Sequence, residues 1–181
     1  MSSLKFKTSE ESLLTNLRYV KKANKNFYII NVEIFKNKFI YFNKLFLAYS
    51  KSNKLKNSFR LSDFFKIVID FYVEELEEKG LYKENTTAEF ENFLKSKKKG
   101  KLEGSEMYSG MTVSEIFTHT TIKVDEETYL KYINCIYSYI QSNDPEMKFH
   151  YSMRKFINIL ITYVMQNEAS FLNFTTNGNK I

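Results

Sequence analysis

The sequence has no tryptophan, one cysteine, one proline and only five glycines. A lone Cys135 cannot join an intramolecular disulfide framework, and it suits a reducing cytoplasm. Scarce proline and glycine leave few places to interrupt a helix, so long helices are expected. No uninterrupted apolar run approaches the roughly 18 residues of a membrane span. Met1 to Ser12 alternates Lys, Ser and Glu and lacks the apolar core of a signal peptide. The expectation is a soluble cytoplasmic protein with no membrane partner. The two histidines, His119 and His150, lie far apart, with no carboxylate or cysteine at ligand spacing, so neither reads as a metal ligand or general base. Phosphate-binding Gly-rich loops, the Gly-x-Ser-x-Gly elbow and His-Glu-x-x-His are missing too. A non-enzymatic protein without cofactor or metal is the expectation.

What is present is aromatic and basic. The chain carries 17 Phe and 13 Tyr, and its 27 cationic residues include only three arginines: Arg18, Arg60 and Arg154. Such a lysine-heavy, Asn- and Ile-rich bias is what an AT-rich coding sequence produces, so part of the charge is genomic in origin. The net charge of +6 still favours an anionic partner, nucleic acid first and an acidic protein or membrane surface behind it.

Along the chain, residues 1–26 form a polar, basic arm with one short periodic patch around Leu13, Leu14, Leu17, Tyr19 and Val20. Residues 27–34 are aromatic and β-branched, the composition of a strand. From Lys36 to Ser50, Phe39, Phe42, Leu45, Phe46 and Tyr49 recur at three and four, one face of a helix. After a basic loop, Ser62 to Lys79 is apolar nearly all round and predicts a helix buried on most sides. Residues 80–118 read as a linker holding a short helix from Asn85, a charged turn at Lys95–Lys101, and a stretch marked by Gly100, Gly104 and Gly110. The earlier order then returns. Thr120–Asp125 alternates with period two, Glu126–Ser142 has helical spacing behind Asp125 as N-cap, and Ser152–Glu168 is again apolar on most faces. A polar tail is expected from Asn173.

The chain thus reads strand–helix–helix twice, over 27–79 and 119–172. Offsets of 92 in the strands and 91 in the helices lay Ile30 and Val32 on Ile122 and Val124. The helical offset lays Tyr41, Asn43, Phe65, Tyr72 and Val73 on Tyr132, Asn134, Phe156, Tyr163 and Val164. The matching order, lengths and break positions argue for an internal duplication.

A short alternating strand followed by two helices, the second buried, resembles the ribbon-helix-helix (MetJ/Arc) family. Ile122-Lys-Val-Asp-Glu-Glu-Thr-Tyr-Leu-Lys-Tyr is similar to the family's strand with its acidic helix start, and Leu61-Ser-Asp-Phe-Phe-Lys-Ile-Val-Ile to the opening of its second helix. The resemblance implies a mainly α fold with a short two-stranded antiparallel ribbon, built as a tandem pseudo-dimer, that enters the major groove of double-stranded DNA. With Ile30, Val32, Ile122 and Val124 inward, period two turns Ile29, Asn31 and Glu33 outward from one strand and Thr121, Lys123 and Asp125 from the other. Asn31, Thr121 and Lys123, with Ile29, are the candidate base contacts, because Asn can pair with adenine, Lys with guanine, and Thr or Ile with a thymine methyl. Glu33 and Asp125 are assigned to starting the first helix of each copy. The start of the second helix, where the family clamps phosphates, is occupied by Arg60 and Ser62 in one copy and by Ser152, Arg154 and Lys155 in the other.

The resemblance further implies a plasmid or phage protein acting in DNA transfer (conjugation), partition or transcription regulation of its own operon. Its implied partners are a relaxase or partition protein and further copies of itself on tandem sites. The competing reading is a protein-interaction module that inhibits a host factor with the same fold and no DNA readout. More ordinary readings stand beside the site residues: the outward strand residues as the wet face of an edge strand, Ser62 and Ser152 as plain N-caps, Lys97–Lys101 as a solvated linker, and Cys135 as a small buried apolar residue.

Overall fold

The computed structural model describes residues 27–53, 55, 59–95, 116–146 and 153–177. These form a mostly helical protein with one two-stranded antiparallel sheet. In chain order the elements are β1 (Tyr28–Phe35), α1 (Lys36–Ser52), α2 (Leu61–Glu78), α3 (Thr87–Lys95), β2 (Phe117–Val124), α4 (Glu126–Asn143), α5 (Ile157–Gln166) and α6 (Glu168–Asn177). The two strands, nearly 90 residues apart in sequence, pair along their whole length, with Ile30 opposite Ile122 and Asn31 opposite Thr121.

Period-two alternation decides which face of the ribbon is buried. Ile30, Val32, Ile34, Ile122 and Val124 are all at most 4% exposed and point into the helices. Helix α2 lies at the centre of the protein, as its all-round apolarity predicts: Phe64, Phe65, Ile67, Val68, Ile69, Phe71, Tyr72, Val73 and Leu76 are buried. Around it pack Phe42, Leu45 and Tyr49 of α1, Tyr132, Ile133, Ile136 and Ile140 of α4, Leu160, Ile161 and Val164 of α5, and Phe171 of α6. Aromatic rings do much of the filling. Phe64 meets Phe42, Tyr49 and Phe171 at centroid distances between 5.2 and 5.9 Å, tilted or edge-on, the geometries that ring quadrupoles favour. Cys135 is fully buried within this core, and burial pushes its thiol well above the ordinary range.

Several boundaries differ from the sequence expectation for visible reasons. The second strand starts at Phe117, inside the stretch read as linker, because Phe117 stacks on Phe35 at 4.7 Å and extends the ribbon. The helix expected over Ser152–Glu168 is split. Residues 153–156 form a turn whose carbonyls serve other partners: Met153 O accepts the Tyr132 hydroxyl at 2.5 Å and Arg154 O accepts Glu33 N–H at 2.8 Å. Helix α5 therefore starts at Ile157. It stops at Asn167, whose side-chain amide caps Tyr163 O at 2.9 Å, and α6 follows at once. Residues 173–177, expected as part of a polar tail, belong instead to α6, which runs to Asn177 and buries Phe171 and Thr175. The arm over 1–26, the turn at Lys97–Lys101 and the three marker glycines lie outside the described residues. Among the described residues no helix is long and apolar enough to cross a membrane.

Candidate nucleic-acid interface

The outward face of the ribbon carries four cross-strand pairs in a row: Ile29 with Lys123, Asn31 with Thr121, Glu33 with His119, and Phe35 with Phe117. The first two pairs hold all four candidate base contacts. Asn31, Thr121, Lys123 and Ile29 are exposed, Ile29 by 36%. The fold therefore gathers them side by side on one solvent-facing surface. Their neighbour Phe27 lies under the Lys123 ammonium, 3.9 Å from the ring centroid. At an exposed site such a contact contributes about 0.5–1 kcal/mol, little enough for Lys123 to leave it for a stronger partner.

The other two pairs are partly covered: Glu33 and Phe35 are half-buried and Phe117 is buried, while His119 stays exposed. Glu33 is not at a helix start. Helix α1 opens behind Phe35 without a side-chain cap, and the Glu33 carboxylate lies instead beside the His119 imidazole of β2 and the Arg154 and Lys155 cations of the turn before α5. Its Oε1 is 3.7 Å from the Arg154 guanidinium and 4.0 Å from His119 Nδ1, and its Oε2 is 3.8 Å from the Lys155 ammonium. Lys155 also stands 4.7 Å over the Phe117 ring. A shallow open depression lined by Asn31, Glu33, His119, Thr121 and Arg154 joins the covered half of the face to the open half.

Asp125 does start its helix. Its Oδ1 accepts Thr128 N–H at 2.8 Å and its other oxygen pairs with Lys66. Desolvation would raise the Asp125 carboxyl, but the hydrogen bonds from Lys66 and Thr128 outweigh it and hold the group well below its ordinary range.

The candidate phosphate contacts fall into two groups. At the start of α2, Arg60 is exposed, while the first-turn Asp63 carboxylate accepts Arg60 N–H at 2.8 Å. Ser62 is not the N-cap, which is Arg60. Its hydroxyl accepts Lys123 N–H at 3.3 Å on the outer edge of β2. Before α5, Arg154 and Lys155 flank Glu33 as above, and Ser152 lies outside the described residues.

One residue that sequence reasoning missed fixes this second group. Asn158, only 4% exposed, behaves as a short extra strand along the free edge of β1. Its Oδ1 accepts Phe35 N–H at 2.9 Å, and its Nδ2 donates to Glu33 O at 2.8 Å and Lys155 O at 2.9 Å. An unpaired strand edge invites pairing with other chains, and this amide closes part of it. No sequence pattern marks Asn158, because its partners lie 123 and 125 residues away.

Among the described residues no group of His, Cys, Asp and Glu is arranged to hold a metal ion. Comparison with protein-family models, curated proteins and solved structures finds no match to this chain.

Proposed function

We propose that this protein is a sequence-specific double-stranded DNA-binding protein that inserts its ribbon into the major groove as a tandem ribbon-helix-helix pseudo-dimer. The observation that carries the reading is the placement of Ile29, Asn31, Thr121 and Lys123 as two adjacent cross-strand pairs on the exposed face of a ribbon whose other face is locked into the core. A two-stranded ribbon fits the width of the major groove, and these side chains supply a bidentate amide, an ammonium and two methyl-bearing groups for base edges. Arg60, Arg154 and Lys155 flank the ribbon and serve as phosphate contacts that set register.

The packing supports the duplicated form of the reading. Ile30 and Ile122, matched by the 92-residue offset, lie directly opposite each other in the ribbon. Tyr72 and Tyr163, matched by the 91-residue offset, touch at 5.1 Å. Docking is also crossed: Ser62 of the first half meets β2, and Arg154 of the second meets β1. Residues that meet their own counterparts, and helices that dock on the other half's strand, are what a two-fold dimer made into one chain would retain. Two diverged halves suit a non-palindromic site, as in the origin of a transfer or partition system or an asymmetric operator.

Gel-shift titration against random duplexes at two salt concentrations tests DNA binding. Some five phosphate contacts would give a log–log slope of about −4 to −5. Binding that is absent or insensitive to salt overturns the reading. On a selected site, Asn31→Ala with Lys123→Ala should erase site preference and leave non-specific affinity nearly intact.

A further inference from the structure

We infer that His119, Arg154 and Lys155 form an oxyanion site on the flank of the ribbon, and that Glu33 occupies it as a built-in competitor for phosphate. The inference takes its DNA ligand from the proposed function, but the site itself rests on geometry alone.

Three cationic or protonatable side chains converge on one carboxylate, at 3.7, 3.8 and 4.0 Å. They come from two distant parts of the chain. His119 is carried by β2 and sits directly across from Glu33 in the ribbon. Arg154 and Lys155 come from the turn before α5, whose position is set by the Glu33 N–H to Arg154 O bond and by the Asn158 amide. The backbone, not the carboxylate, therefore holds the cations in place, and they would remain after the carboxylate is removed.

The exposures show which partner is open to solvent. The Glu33 side chain is 16% exposed, while Arg154 is 44% and His119 55% exposed. Arg154 and His119 thus present a wet side to an incoming anion, with the carboxylate behind them. None of the three distances is a tight hydrogen bond, so donor capacity is left over on the guanidinium and ammonium. A phosphate oxygen offers the same charge and acceptor geometry as the carboxylate and would compete for the same donors.

The consequence for DNA follows from position. Glu33 is one cross-strand pair along from Asn31 and Thr121, about 7 Å along the strand at ordinary strand rise. Its negative charge lies behind Arg154 and Lys155, beside the base-reading pairs, and cancels part of their pull on any backbone phosphate. Non-specific affinity is held down, and the two flanking phosphate contacts are made only where the fit of Ile29, Asn31, Thr121 and Lys123 compensates for displacing Glu33.

The test is Glu33→Gln, which keeps shape and removes charge. Two readouts are taken on the full chain: protection from thermal unfolding by inorganic tripolyphosphate, and the salt dependence of binding to a random duplex. The site predicts that tripolyphosphate raises the Tm of Glu33→Gln clearly more than that of the wild type. It also predicts that Arg154→Ala with Lys155→Ala in the Glu33→Gln background abolishes the gain. On DNA, recovery of two phosphate contacts steepens the log–log slope by about 1.8. Equal tripolyphosphate protection of the wild type and Glu33→Gln, or a gain that survives loss of Arg154 and Lys155, overturns the inference. Should Glu33→Gln fold poorly, Glu33→Ser provides the same comparison. Tripolyphosphate protection as expected, with no duplex binding by either protein, would refute the DNA reading and leave the anion site standing. Normal duplex binding with no difference between the two proteins would do the reverse.

Discussion

Tyr72 of α2 and Tyr163 of α5 meet edge to face, ring centroids 5.1 Å apart and planes at 73°, at the two positions that the 91-residue offset pairs with each other. Tyr72 is 7% exposed, and its hydroxyl is raised far above the ordinary range, mainly by burial. Tyr163 is half-buried and hydrogen-bonded to Glu75, whose carboxyl is held low first by Lys79 and then by this bond.

That contact predicts unequal costs from equivalent positions. Tyr72→Ala should destabilise the protein by about 3–5 kcal/mol, as large aromatic truncations in cores do. Tyr163→Ala, on the wetter side, should cost clearly less. A double-mutant cycle should return a coupling of about 0.5–1.5 kcal/mol beyond simple area burial. Urea unfolding of the four proteins measures all three quantities, and strictly additive costs would show that the rings do not interact.

The Asp125 carboxylate predicts a pH dependence. Its folded value lies below its ordinary 3.8, so its stabilising effect is fully present above about pH 4. As pH falls below 3.8 the unfolded chain takes up the proton first, and the contribution is lost progressively toward the lower folded value. Asp125→Ala removes both the cap on Thr128 and the pair with Lys66, at a cost of about 1 kcal/mol near neutrality. Because the Asp125 side chain is 45% exposed, solvent screens the ion-pair part and the cap should dominate. Asp125→Asn, which can still cap, should therefore stay close to wild type at pH 7 and lose the acid-side slope. Unfolding midpoints between pH 2.5 and 7 distinguish these outcomes.

Strand parity was legible because burial on one face imposes a period of two. Ile30, Val32, Ile122 and Val124 are inward, and Asn31, Thr121 and Lys123 are outward, as the alternation requires. The central place of α2 was legible for a similar reason, since a helix apolar on every side has nowhere to go but inside. The Asp125 cap is a local rule read correctly. What could not be read depends on long-range partners. The turn at 153–156 exists because Tyr132 and Glu33 take carbonyls that a continuous helix would have used internally. The acid–base cluster at Glu33 joins residues about 85 and 120 positions apart, and the local sequence suggested for Glu33 an outward position and a helix start, of which only the first holds. Half of the candidate site, the open pairs, follows from alternation. The covered half follows from docking.

Cys135 should be chemically silent while the protein is folded. It is fully buried beside Asp70 and Lys131, with its thiol held well above the ordinary range, first by desolvation and then by the Asp70 charge. A thiol reagent in excess should react only as fast as the protein opens, and immediately in strong denaturant. Fast labelling of the native protein would contradict the packing of α4 against α2.

Asn158 offers the most specific check on how α5 is seated. Its carboxamide makes three hydrogen bonds to backbone, to Phe35 N–H, Glu33 O and Lys155 O, and its own carbonyl and the Thr162 hydroxyl hold the Lys38 ammonium at 3.1 and 2.5 Å. Burial lowers the Lys38 ammonium below its ordinary range, so it depends on those two acceptors staying in place. Asn158→Leu keeps the volume and strands two β1 groups without partners, each at about 1–3 kcal/mol. The Phe35 amide, having lost the Asn158 acceptor, should exchange its hydrogen much faster than in the wild type, while the amides of Ile30 and Val32 in the ribbon interior change little. Uniform acceleration across β1 would mean that Asn158 supports the whole ribbon. No change at Phe35 would mean that the side-chain amide does not close the edge at all.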